Sequence, residues 1–278
     1  MQPFELLDRY ELLYPTSTKF SDLRRAYIDK DLSSIFRFVN DKNKDNFRKF
    51  VMEDNVWKLW PLLDSIKNTQ FTNAFKNFYI NEIDIDKDCF SRGQLQSKLW
   101  LVKELKKVTP DIGTVFLCAG WYATLATMLF ESGIRVNKIR SFDIDDSCRT
   151  IAEIFNKPWV KNDWKFKSCT QDIHDINFKQ HTYQVQRSDN SICDLVDTPD
   201  TIINTSCEHI ENFSEWFHKI PKGKLICLQS NDYVSLEEHV NCVKDSVHFA
   251  EIAPLSKVLF TGELPLEKYT RFMRIGYV

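Results

Sequence analysis

The stretch that decides the fold is "TVFLCAGWYATLATMLF", residues 114–130, which contains no charged side chain. Such a run is a membrane span, a buried segment, or a strand that turns into a helix. A bilayer-spanning helix needs about 20 apolar residues, and here Asp111 and Glu131 close the run on either side. A membrane helix would also leave the alternating strands that follow without a reason. A strand of about five or six residues, a tight turn at Cys118-Ala119-Gly120-Trp121-Tyr122-Ala123 and a buried helix use the whole run.

Working outward, the same rhythm repeats. Strand-like runs "KIRSFDID", "WKFKSCTQD", "DTIINTS" and "KLICLQS" follow, with amphipathic stretches such as "WYATLATMLFESG" and "SCRTIAEIFNK" between them. Strands alternating with helices call for a parallel sheet covered by helices. The tail differs: "KVLFTGEL" and "YTRFMRIGYV", joined by the short "PLEK", read as an antiparallel pair. The expected fold class is α/β, a Rossmann-like parallel sheet with a C-terminal antiparallel hairpin.

Upstream, residues 1–107 read as a helical region that covers the substrate or, alternatively, docks a partner, ahead of a Rossmann-like domain over 108–278. Ser21 is a cap candidate before Leu23, Ala26 and Tyr27, and Pro61 marks a break between "DNVWKLW" and "PLLDSIKN". "QFTNAFKNFYINEI" is a further helix candidate. In "SRGQLQSKLWLVKELKKV", Leu95, Leu99, Val102 and Leu105 form one face, expected to lie against the following domain.

The composition, 43% hydrophobic and 27% charged over 278 residues, supplies ample side chains for a core. Seven glycines and nine prolines are too few for an all-β fold rich in tight turns. Lys and Arg total 37 against 39 Asp and Glu, so the basic excess of a nucleic-acid binder is missing and such a partner is not favoured. The charge clusters at 42–49 and 81–88 read as solvated surface. Eight cysteines stand singly with none at CxxC spacing, which argues against structural zinc. "MQPFELLDRYELLYP" has no signal-peptide pattern. A reduced, cytoplasmic protein without membrane contact is expected.

In doubly wound sheets, ligands bind beyond the carboxyl ends of the strands, where strand order reverses. At the first such end, Ala119, Gly120 and Ala123 are small enough for a backbone to approach a ligand, whereas Trp121 and Tyr122 are bulky. At the second, Asp143 stands about 20 residues on, where an acid can accept both hydroxyls of an adenosine ribose. Asp145 is its rival. Alternatively these acids, with Asp146, complement the dipole of the helix beginning "DDSCRT". At the third, Asp172 can accept from an adenine amino group with Gln171 and Ile173 lining the base, or it is a plain loop acid.

Across 108–278 the chain resembles the class I, Rossmann-like S-adenosylmethionine-dependent methyltransferases. The resemblance rests on "VFLCAG", "SFDID", "CTQDI", "IINTSCEHIENFSEWF" and "IPKGKLICLQS". "GWY", "NTSCEH" and "LQSNDY" look like an uncharacterised branch met in bacterial and phage genomes. "CAGWYATLA" is also similar to the turn of nicotianamine synthase, a relative that uses the same cofactor for aminocarboxypropyl transfer. The resemblance implies S-adenosyl-L-methionine as cofactor, held by Ala119, Gly120, Trp121, Tyr122, Asp143, Ile144, Asp172, Ile173 and Asn204. Two departures stand out: Leu117 replaces the usual acid of the first strand, and the glycine triad is reduced to Gly120. NAD-type dehydrogenases share the strand–turn–acid logic but call for a fuller GxGxxG.

The densest polar cluster is "NTSCEHIEN", residues 204–212. Asn204 resembles the first residue of the (N/D/S)PP(Y/F) motif of amino methyltransferases. Thr205, Ser206 and Cys207 stand where the motif has two prolines and an aromatic, so a DNA adenine methyltransferase is not favoured. With Asn204, Glu208 and His209 are the catalytic candidates, because methyl transfer to N or O releases a proton that an imidazole can take. Their structural alternatives are a cap on the helix "ENFSEWFHKI" and a polar niche in the core. Cys207 reads as an inert thiol rather than a nucleophile.

After the fifth strand of this reading, Gln229, Asn231 and Tyr233, with Ser230 and Asp232, would line the acceptor, or they simply form a turn. Tyr269 and Arg271 reach an anionic acceptor or sit on the sheet surface. A metal held by His174, Asp175, Glu208 and His209 lacks an i, i+4 ligand pair, and none is expected. The reading is methyl transfer by in-line displacement to an N or O atom of a polar small molecule, achieved mostly by proximity and removal of one proton. An aminocarboxypropyl transferase and an inactive binding module are the alternatives.

Overall fold

The computed structural model describes residues 86–187 and 189–278. The helix candidates before residue 86 lie outside the described residues. The chain divides into two compact units, Met1–Gln96 and Ser97–Val278. In the first, the described part is a 3-10 turn, Lys87–Phe90, whose cap Asp86 accepts from the Asp88 N–H at 2.8 Å, and the start of helix α1 (Arg92–Val108).

The second unit carries a seven-stranded sheet in the order β3-β2-β1-β6-β7-β9-β8. Its strands are β1 (Asp111–Cys118), β2 (Arg135–Asp143), β3 (Phe166–Thr170), β6 (Thr201–Asn204), β7 (Leu225–Asn231), β8 (Lys257–Pro265) and β9 (Thr270–Tyr277). β1, β2, β3, β6 and β7 run parallel, and β9 enters antiparallel between β7 and β8. The expected parallel sheet with a closing antiparallel pair is therefore present. Strand order reverses at β1, which has β2 on one side and β6 on the other.

β1 is central because both of its faces are apolar, as a strand covered on two sides requires. Phe116 and Cys118 enter one buried cluster with Phe142, Ile202 and Trp216, whereas Val115 and Leu117 enter another with Ile139, Phe166 and Ile203. Helix α2 (Thr124–Glu131) packs on the second face through Leu125 and Leu129. Helices α3 (Asp146–Phe155) and α4 (Lys157–Lys161) lead into β3, α5 (Phe213–His218) follows β6, and α6 (Ser246–Ile252) follows β7. The α1 stripe follows the expected one at Leu95 and Leu105, both fully buried, and departs from it at Leu99. Leu101 and Leu105 are fully buried in the second cluster, and Val102 packs at its margin; Leu99 is only half-buried.

One element was not anticipated. β4 (His181–Gln186) and β5 (Ile192–Asp197) form a separate antiparallel hairpin. Asp197 fastens it to β2: its carboxylate accepts from Lys138 Nζ at 2.9 Å and from Arg140 Nε at 2.8 Å. The Tyr183 hydroxyl donates to the same carboxylate. Burial alone would raise the Asp197 carboxyl, but the bonds from Tyr183 and Lys138 and the charge of Arg140 hold it below its ordinary value. Among the described residues no helix is long and apolar enough to cross a membrane. All eight cysteines are free thiols.

Candidate active site

The turn between β1 and α2 alternates its backbone. Ala119, Trp121 and Ala123 adopt φ of 51°, 50° and 49°, the left-handed region that costs a non-glycine residue about 1–2 kcal/mol. A GxGxG pattern would set its glycines at such alternate positions, and here Ala, Trp and Ala fill them. Gly120 stands between them for another reason: a Cβ there would lie 2.1 Å from Ser141 Oγ and 3.1 Å from Leu117 Cγ. The room it saves faces β2. Asn156, fully buried, supports the far end of the turn: its amide donates to the Ala123 carbonyl at 3.1 Å and accepts from Thr127 Oγ1 at 2.9 Å. Trp121 and Tyr122 stack at 4.9 Å.

Hydrogen bonds stitch three strand ends into one rim. The Gly120 N–H donates to the Phe142 carbonyl at 3.1 Å, and the Gln171 N–H donates to the Asp143 carbonyl at 2.8 Å. Asp143 also joins the ends through its side chain, accepting from the N–H of Trp121 at 2.6 Å and of Asp145 at 3.1 Å. Burial raises the Asp143 carboxyl above its ordinary value despite these two bonds. Asp145 does something different. It caps α3 by accepting from the Ser147 N–H at 2.9 Å, and its bonds to Ser147 hold its carboxyl low. Asp146, in the first turn of α3, accepts from Thr170 Oγ1 at 2.7 Å.

At the β3 end, Asp172 caps the 3-10 turn Ile173–Asp175 through the His174 N–H at 2.8 Å. Ile173 points into the core at 5% exposed, whereas Ile144 is 73% exposed beside Asp143. Gln171 is oriented by His181, which the sequence reading did not include. The Asn177 N–H donates to His181 Nδ1, so Nε2 carries the proton and donates to Gln171 Oε1 at 3.0 Å.

Across the switch point, Asn204 at the end of β6 is fully buried. Its Oδ1 accepts from the Ser206 N–H at 2.8 Å, and its Nδ2 has no partner. Cys207 is buried and its thiol is pushed well up by that burial, which leaves it inert. Glu208 does not cap the following helix. It is buried against Arg271, with Oε1 accepting from Arg271 at 2.7 Å and from Asn231 Nδ2 at 2.7 Å. Arg271 is therefore neither a free anion binder nor a surface residue; it lies beneath Tyr269, which stacks on Tyr233.

Gln229 lies outside this cluster, donating to the Ser97 carbonyl of α1 at 2.9 Å. Asn231 sits inside the cluster, and its Oδ1 accepts from the Tyr233 N–H at 2.9 Å. His209 is exposed and not a core residue; its Nδ1 lies 3.1 Å from the Glu238 carbonyl. Burial by its neighbours lowers its pKa, with the Glu208 charge opposing. His174 bonds instead to the Glu211 carbonyl. Among the described residues, the metal-ligating side chains that gather are Glu208, His209 and His239, not the set suggested by the sequence. His239 lies on the 232–245 loop and had no local sequence signal.

No protein-family model matches the chain, and no curated protein matches it. Among solved structures it is similar to the N-methyltransferase NodS of Bradyrhizobium japonicum WM9 in complex with S-adenosyl-L-homocysteine. That likeness has a TM-score of 0.49 and 7% identity and covers 73% of this chain and 98% of that one. It is also similar to magnesium protoporphyrin IX methyltransferase of Synechocystis PCC 6803, with TM-score 0.48 and 13% identity over 79% and 99% of the two chains. A third likeness is to geranyl diphosphate C-methyltransferase of Streptomyces coelicolor A3(2), with TM-score 0.45 and 9% identity over 68% and 82%.

Proposed function

We propose that the protein is an S-adenosyl-L-methionine-dependent methyltransferase that acts on an N or O atom of a polar small molecule. The observation that carries this is Asp143, a carboxylate shared between two strand ends at the switch point. Each of its oxygens takes one backbone N–H and keeps a lone pair, so the residue fits a ribose diol. The exposed Ile144 beside it offers an apolar face for a purine, and the half-buried Asp172 offers an acceptor for its amino group. The unpartnered Nδ2 of Asn204 is a buried donor across the crevice, where an interior polar group needs a partner. Ala119, Gly120, Trp121 and Tyr122 frame the near side.

When bound, the cofactor supplies a methyl carbon made electrophilic by its sulfonium. The chain's own contribution is to orient the acceptor and hold one proton. His209, with its lowered pKa, is neutral near pH 7, and its Nε2 takes the acceptor's proton. Glu208, fixed by Arg271 and Asn231, faces that imidazole with its charge. Asn231 holds the Glu208 carboxylate, and Tyr233 lies edge-on to the ring of His239 at 5.9 Å. Eight free thiols suit a reducing, cytoplasmic setting.

Calorimetric titration with S-adenosyl-L-methionine and with its demethylated product tests the cofactor. Absence of binding to either leaves only a fold without the activity. Analysis of the spent cofactor then tests the reaction: S-adenosylhomocysteine supports methyl transfer, and methylthioadenosine would replace it with aminocarboxypropyl transfer.

A further inference from the structure

We propose that Glu208, His209 and His239 form a binding site for a divalent transition-metal ion of the zinc type. Their ligand atoms all lie within 4.8 Å of one another. Small side-chain shifts bring three such atoms to the roughly 2.0–2.2 Å of metal–nitrogen and metal–oxygen bonds.

The tautomers argue for it. His209 Nδ1 faces the Glu238 carbonyl at 3.1 Å, and His239 Nδ1 faces the Tyr233 carbonyl at 2.6 Å. A carbonyl only accepts, so both Nδ1 atoms carry the proton and both Nε2 atoms present lone pairs. A backbone carbonyl on the far nitrogen is how a metal-ligating histidine is oriented and made more basic. The two rings meet edge-on with centroids 4.6 Å apart.

Glu208 supplies an independent observation. Its side chain is 3% exposed; Oε1 is taken by Arg271 and Asn231, and Oε2 is buried with no partner. A carboxylate oxygen in that position calls for a proton or a cation. Arg271 and Asn231 hold the carboxylate in place, as the partners of a metal ligand do. The loop that brings His239 is itself pinned. The Asn241 N–H donates to the Glu208 carbonyl at 2.9 Å, Asn241 Nδ2 to the Cys207 carbonyl at 3.1 Å, and the Val243 N–H to the Asn231 carbonyl at 2.9 Å.

Two imidazoles and one carboxylate form a donor set that suits zinc-like ions rather than magnesium or calcium, which prefer oxygen ligands. Three protein ligands leave a coordination position open. With the ion bound, the Nε2 lone pair of His209 is committed to the metal and no longer takes a proton; that an acceptor's oxygen or nitrogen fills the open position and becomes more acidic in its place rests on the methyl-transfer reading, whereas the ion site does not.

The test uses the full chain, stripped with a chelator and titrated with Co²⁺ and Zn²⁺ alone. Calorimetry should show one equivalent bound, and Co²⁺ should develop visible d–d bands that Zn²⁺ abolishes. His209→Gln and His239→Gln, both outside the core, should each weaken binding by about 100-fold or more while circular dichroism and Tm stay near the parent. His174→Gln, a histidine outside the group, should bind as the parent does. Absence of binding, or titrations unchanged by both His209→Gln and His239→Gln, overturns the proposal. No cofactor is present, so loss of the methyltransferase reading leaves this result unaffected.

Discussion

The backbone N–H of Trp121 donates to Asp143 Oδ2 at 2.6 Å, so the turn after β1 and the end of β2 share one carboxylate. The side chain of Asp145, two residues on, bonds only within its own helix cap. This difference predicts a double dissociation. Asp143→Ala removes the ribose acceptor, and with about 1.5–3 kcal/mol for each of the hydrogen bonds lost to a charged group it should weaken cofactor binding by roughly 100-fold or more. Asp145→Ala should leave binding within about threefold but lower stability by about 1 kcal/mol, the usual value of a helix cap. Calorimetry and urea unfolding read the two effects. Equal, small binding losses in both variants would remove the ribose assignment.

Burial raises the Asp143 carboxyl, so it takes up its proton at a higher pH than an ordinary carboxyl. Only the ionised form can accept both hydroxyls. Cofactor affinity should therefore be full above the raised value and fall as the pH drops through it. The onset should lie higher than for an exposed carboxylate. Asp143→Asn should flatten this dependence, and a slope that persists in the variant would assign the titration to another group.

Gly120 is held to glycine by Ser141, whose Oγ would lie 2.1 Å from an added Cβ. Gly120→Ala should cost about 1–3 kcal/mol through overpacking. Ser141 Oγ is buried without a hydrogen-bond partner, so Ser141→Ala alone should be near neutral. Combined with Gly120→Ala it should restore much of the loss, leaving the remainder to Leu117. The coupling energy of that double-mutant cycle is the measurement; additive effects would mean that the turn relaxes elsewhere.

The sheet and its rim were legible because they follow from local patterns: apolar runs, a small-residue turn and acids at strand ends. The closing pair β8–β9 was legible for the same reason. What escaped depends on partners distant in sequence. In the β4–β5 hairpin, β4 turns Thr182 and Gln184 outward but β5 turns Ile192 and Val196 outward, so local alternation gives no consistent buried face, and Lys138 and Arg140 of β2 fasten it. Glu208 read as a cap or a base, because nothing local announces Arg271 on β9. His239 sits in a loop, and its convergence on Glu208 exists only after β6 and β7 are paired side by side. The burial of Leu101 in place of Leu99 between Leu95 and Leu105 of α1 has a similar origin, since spacing gives a period but not how wide a stripe the sheet covers.

Asp197 carries the attachment of the hairpin. Its side chain is 9% exposed and neutralises Arg140, itself 4% exposed, so Asp197→Ala leaves a buried cation without a counter-charge, bonded only to neutral groups such as the Trp164 carbonyl. Breaking a buried pair in this way costs about 3–5 kcal/mol. Amide exchange should accelerate most in β4 and β5, because β1, β2 and β6 keep their own ladders. The pH dependence has a definite sign. The folded carboxyl lies below its ordinary value, so its stabilisation is present above the unfolded value and is lost as pH falls through the lowered folded value. Asp197→Ala should therefore be less stable than the parent at neutral pH and converge toward it in acid. If the gap stays constant across that range, the pairing with Arg140 does not hold the hairpin.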